Sequence, residues 1–135
     1  MRRISFGVLT AAILFIVPGV ASAQGRWKEI GKTASGNRVY VDPKSVHAQQ
    51  KDLIDATVRV VFTTPVESPQ GPLYTTRTKA TFNCTTRRLA VKENTFYGNA
   101  KETRVVERKV NKIPGFGWVP DGSLGTVALD YLCRK

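Results

Sequence analysis

Few residues in this chain could do acid–base or metal chemistry. The 135 residues hold a single histidine, His47, and two cysteines, Cys84 and Cys133. One imidazole and two thiols exclude most metal sites, which need several such ligands at close spacing. Asp52 and Asp55 lie three apart at the start of a strand, which puts them on opposite faces. A glycosidase pair needs two carboxyls facing each other across roughly 5–9 Å, and this spacing does not supply one. No Gly-rich phosphate loop, nucleophile elbow or His pair at metal spacing occurs. His47 follows a short helical turn and reads as a solvated loop residue. A lone axial His47 could touch a haem iron, but no second His or thioether is placed to help. The expectation is a protein that is not an enzyme and carries no cofactor or metal.

The basic excess says more. Lys and Arg number 21 against 10 Asp and Glu, a formal charge of +11. In the strands derived below, Arg59, Arg77 and Lys79 fall on the solvent-facing sides, and Arg87 and Arg88 mark the next turn. If those strands are neighbours, the five form one positive surface. Such a surface attracts polyanions: acidic protein segments, sulfated glycans, anionic lipid headgroups or phosphate-rich envelope polymers. The alternative is a solvated face that only keeps the protein soluble. Nucleic acid is electrostatically permitted, but no strand interleaves basic with aromatic residues, so it is not expected as a partner.

The amino terminus has the layout of a secretory leader. Arg2 and Arg3 precede the apolar stretch Gly7 to Val17, Pro18 and Gly19 break it, and Ala21-Ser22-Ala23 is a small-x-small cleavage site. The expectation is a signal peptide over 1–23 and one domain over 24–135. No apolar run reaches the roughly 18 residues of a spanning helix. No Cys near the cleavage point could accept a lipid anchor. Export leads to an oxidising compartment, where Cys84 and Cys133 are natural partners. That bridge would close a loop of about 50 residues, worth ~4 kcal/mol in the chain-entropy model. The alternative is two buried free thiols.

The elements that must position these groups are mostly short strands. Arg26 to Lys32 is a first strand, and Arg38 to Asp42 a second by β propensity. Asp42-Pro43 opens a single helical turn over Pro43 to Val46. Gln49 to Lys51 is polar connection. Leu53 to Thr63 alternates cleanly, with Ala56, Val58, Val60 and Phe62 on one face and Thr57, Arg59, Val61 and Thr63 on the other. Pro65, Pro69, Gly71 and Pro72 make a loop. Leu73 to Cys84 resumes the alternation, with Ala80, Phe82 and Cys84 opposite Arg77 and Lys79. Arg88 to Phe96 and a charged Thr103 to Val110 complete the strands. Ser123 to Cys133 changes period: Leu124, Val127, Ala128 and Tyr131 sit at helical spacing. A helix so short is marginal alone and must lie on the sheet. The fold class is therefore α+β: an antiparallel sheet of five to six strands with one C-terminal helix packed on it. An exposed edge strand could pair two copies as a homodimer, though no residue marks that edge.

With the elements placed, the order of motifs resembles the surface-adhesin E family of small exported bacterial proteins. The resemblance rests on Trp27-Lys28-Glu29-Ile30, on Val39-Tyr40-Val41-Asp42-Pro43-Lys44-Ser45-Val46 and on Phe82-Asn83-Cys84. It continues through Asn94-Thr95-Phe96-Tyr97, Trp118-Val119-Pro120-Asp121-Gly122-Ser123 and Tyr131-Leu132-Cys133. It implies about six antiparallel strands with a C-terminal helix. It also implies attachment to host surfaces or extracellular-matrix proteins; the expected location is the periplasm, the cell surface or the medium (secreted) of a Gram-negative bacterium, without a lipid anchor. The other reading is a periplasmic accessory protein of the envelope with no host ligand.

Overall fold

The structure, a computed structural model, describes residues 12–13 and 26–134. Apart from residues 12 and 13, the leader expected over 1–23 lies outside the described residues.

Alternation builds the sheet. In chain order the strands are β1 (Lys28–Lys32), β2 (Arg38–Val41), β3 (His47–Gln50), β4 (Leu53–Val66), β5 (Leu73–Asn83), β6 (Arg88–Tyr97) and β7 (Val105–Val110). A 3-10 turn (Pro43–Ser45) lies between β2 and β3, and helix α1 (Leu124–Leu132) closes the chain. All pairs are antiparallel, in the order β1-β2-β4-β5-β6-β7. β4 and β5 form the spine, with Ala56 opposite Ala80, Val58 opposite Thr78 and Arg59 opposite Arg77. Because side chains alternate between faces, the first two pairs face one way and the Arg pair the other.

The core occupies the first of these faces. Val41, Ala56, Val58, Ala80 and Phe82 pack with Val119 of the approach loop and with Ala128 and Leu129 of α1. The Ser123 hydroxyl caps the helix by accepting from the Thr126 N–H, which satisfies one of the orphan amides of the first turn. Gly125 lets the helix sit close. A Cβ there would lie 2.6 Å from Cγ1 of Val119 and 2.7 Å from Cδ2 of Leu89, inside van der Waals contact. At the other end Cys133 is bonded to Cys84, with the two Cα atoms 5.5 Å apart. The disulfide thus ties the C-cap of α1 to the residue that follows β5.

Three local expectations change. The sheet has seven strands, because His47–Gln50 is a strand paired with the start of β4, not a loop. Every residue of β3 is exposed, so no apolar alternation marks it. It forms because β5 covers only one edge of β4, and β3 supplies hydrogen bonds to the other. His47 is therefore an exposed strand residue. Second, β4 runs through Pro65 to Val66. Its ladder with β5 shifts register between Val61 and Val66, and a residue without an N–H is tolerated where the ladder is interrupted. Third, the face opposite the helix is not open to solvent along its length. Thr75 is fully buried there, and Thr57, Thr81 and Thr95 nearly so.

Candidate functional site

The covering of that second face is built from two remote segments. After β6 the chain turns at Gly98 and Asn99. The Asn99 side-chain oxygen accepts from the backbone N–H groups of Thr103 (3.0 Å) and Arg104 (3.3 Å), and the Gly98 N–H donates to the Arg104 carbonyl at 2.9 Å. This tight loop holds Glu102 with φ of 57°, a left-handed backbone conformation that costs a non-glycine residue about 1–2 kcal/mol. The Glu102 side chain is only 3% exposed and forms ion pairs with both Arg59 and Arg77. From the amino-terminal side, the Trp27 ring lies 5.2 Å from the Arg77 guanidinium carbon and 5.8 Å from that of Arg59. Tyr40 flanks Arg59, and Tyr97 flanks Arg77. At these distances the ring quadrupoles attract the cations.

The two arginines are cross-strand neighbours, so like charges would repel if left alone. One buried carboxylate between them resolves the conflict and leaves the trio with one net positive charge. Lys79, two residues along β5, faces Glu93 at 3.7 Å. Arg108 of β7 holds the same carboxylate at 2.6 Å. The bond from Arg108 and the positive charge of Lys79 keep the Glu93 carboxyl below the usual carboxylate range despite burial. Burial pushes Asp55 upward, but hydrogen bonds from Thr81, Lys92 and Gln49 outweigh it, and its carboxyl is also held low. Arg26 donates from Nε to Asp42 at 2.7 Å. Across this network six cations meet four carboxylates, so the face keeps a positive excess.

Arg59, Arg77 and Lys79 thus share one face, as the alternation of β4 and β5 requires. Arg88, opposite Asn83, is exposed at the far end of the same face by register. Arg87 does not join them: it reaches Asp130 of α1 and helps hold the helix. Asp52 occupies the β3–β4 turn and accepts from the Thr85 hydroxyl, while Asp55 faces Thr81 and Lys92, so the two carboxylates share no partner. Sequence reasoning missed Glu102 and the packing of Trp27. Neither has a local signature, because Glu102 meets Arg77 across 25 positions.

Two concavities matter. The larger, about 480 Å³, lies on the helix side between Leu89, Val91, Trp118, Pro120 and Leu124; it is apolar and lined by no titratable side chain. The smaller, about 160 Å³, lies on the arginine face. Size favours the first, but the charged groups converge on the second. Among the described residues no cluster of His, Cys, Asp and Glu could hold a metal ion, and no helix is long and apolar enough to cross a membrane.

Comparison with known proteins agrees with this architecture. The sequence matches no curated protein. Three solved structures of Haemophilus influenzae protein E share the fold at 16% identity. Crystal form II superposes with a TM-score of 0.52 over 80% of this chain and 87% of that one. The selenomethionine form gives 0.51 over 80% and 85%, and a further structure 0.50 over 80% and 83%. The sequence profile of surface-adhesin protein E matches residues 27–134. The match spans β1 to α1 and both cysteines, and the chain belongs to the surface-adhesin protein E family.

Proposed function

We propose that this protein is a non-enzymatic adhesin, exported from the cell, that attaches to anionic groups of matrix or envelope macromolecules through the sheet face opposite the helix. The observation that carries the reading is the excess of six cations over four carboxylates on that face. The excess is not uniformly available. Arg59 and Arg77 are fixed by Glu102 and shape the surface, whereas Lys79, 59% exposed, and Arg88 reach solvent. Lys79 and Arg88 are therefore the freely exposed contact residues, Arg59 supplies field and framework, and Arg77, held by Glu102 but 30% exposed, serves both roles. Arg87 serves the helix. Exposed cations on a rigid sheet act mainly through long-range attraction, so binding should weaken steeply with salt.

The test is retention on an immobilised sulfated glycan and on matrix protein. The double variant Lys79→Gln, Arg88→Gln should elute at clearly lower salt than the parent; unchanged elution removes the electrostatic reading. Antibody or protease access on intact cells tests the adhesin role separately. A protein that stays unreachable from outside acts within the envelope instead.

A further inference from the structure

We propose that the 160 Å³ concavity on the arginine face is a subsite for one tetrahedral oxyanion, a sulfate or phosphate group. The inference rests on the adhesin reading above and assigns a ligand class to its face.

The donors come from separate strands and from the amino-terminal segment. Arg26, Arg77 and Lys79 line the concavity, with the hydroxyl-bearing side chains of Thr57, Thr95 and Tyr97 between them. Arg26 and Arg77 each engage a carboxylate through Nε, on Asp42 and Glu102 respectively. Among the described residues the terminal nitrogens of neither guanidinium make a protein hydrogen bond. The carboxylates therefore fix both guanidinium groups and leave their outer N–H groups for a ligand. Lys79 is held loosely, 3.7 Å from Glu93. Thr57, Thr95 and Tyr97 are each nine-tenths or more buried. Their hydroxyls border the same cavity as neutral donors.

The single carboxylate in the lining, Glu93, is occupied by Arg108 at 2.6 Å. Three cations and three hydroxyls facing one neutralised acid select an anion, not a cation. The donors come from β4, β5, β6 and the amino-terminal segment, not from a single strand. A planar carboxylate is satisfied by one bidentate arginine, whereas four oxygens directed to the corners of a tetrahedron use donors from several sides.

Trp27 reports on the site, since its ring stacks on both Arg77 and Arg26. Trp118 is the only other tryptophan, so Trp118→Phe isolates the signal. The full chain carrying that change is titrated with sodium sulfate and with sodium phosphate, against sodium chloride at matched ionic strength. A saturable change of Trp27 fluorescence is expected with sulfate or phosphate and not with chloride, and the tighter of the two identifies the source of the oxyanion. Lys79→Gln should weaken binding about tenfold, the effect of losing one charge-assisted contact. Glu93→Gln should tighten it, because it removes the competing acid. Lys112→Gln, an exposed loop position outside the lining, should leave it unchanged. Opposite signs at Lys79 and Glu93 cannot come from loss of folding. No saturable response beyond chloride, or an unaltered response in Lys79→Gln, overturns the subsite. If the anions fail to bind while salt-sensitive retention on the sulfated matrix persists, the subsite falls and the adhesin reading stands. If the anions bind but no macromolecule is retained, the subsite stands and that reading falls.

Discussion

Arg77 of β5 donates its Nε–H to Glu102, which lies 25 residues further along on the loop after β6. The contact closes that loop over the sheet, and Arg59 engages the other oxygen of the same carboxylate. A basic surface read from strand alternation is, at its centre, an internal ion triad walled by Trp27, Tyr40 and Tyr97.

Glu102→Gln keeps the shape of the side chain and removes the charge. Arg59 and Arg77, with side chains 16% and 30% exposed, would then face each other with only a neutral acceptor between them. The expected loss is about 2 kcal/mol, below the 3–5 of a fully buried pair because Arg77 is partly solvated. Urea denaturation measures it. Hydrogen exchange over residues 98–104 should also speed up, as the loop loses its anchor. A variant as stable as the parent, with unchanged exchange, would show that the loop is held by Asn99 alone.

Cys133→Ser removes the covalent tie of α1. The sequence separation of 49 corresponds to about 4 kcal/mol in the chain-entropy model. A nine-residue helix cannot persist without its dock. Its release uncovers Val41, Val58 and Phe82, each no more than 1% exposed in the intact fold. The variant should bind a hydrophobic dye more strongly and unfold at lower denaturant. An equal dye response would mean that apolar packing around Leu129 holds the helix unaided.

Stability should fall in acid through Asp55 and Glu93. Both carboxyls titrate below their ordinary range in the folded state. The unfolded chain therefore takes up protons first as pH drops. Their contribution is fully present above about pH 5 and is lost as pH falls through about 4 and below. The double variant Asp55→Asn, Glu93→Gln should show a flatter acid limb in a plot of denaturation midpoint against pH. Parallel curves for variant and parent would place the acid sensitivity elsewhere.

Strand alternation and helical spacing are local, and the features that depend on them were legible in the sequence. Period two in Leu53–Thr63 and Leu73–Cys84 put Arg59, Arg77 and Lys79 on one side and Ala56, Val58, Ala80 and Phe82 on the other, and the sheet keeps both assignments. The spacing of Leu124, Val127, Ala128 and Tyr131 marked α1 to within a residue at each end. Two cysteines with an expected export route marked the bridge.

The tertiary structure decided what covers the other face. β3 carries no burial signal because all four residues are exposed; only the free edge of β4 calls it into the sheet. Glu102 sits in a charged stretch indistinguishable from solvated loop until the Asn99 turn directs it onto two arginines. Arg87 and Arg88 are adjacent in sequence, yet Arg87 goes to Asp130 and Arg88 to the opposite face. Periodicity reports which neighbours along one strand share a side. Which distant segment closes over that side depends on loop geometry and on the pairing of charges across it, and neither leaves a repeating pattern in the chain.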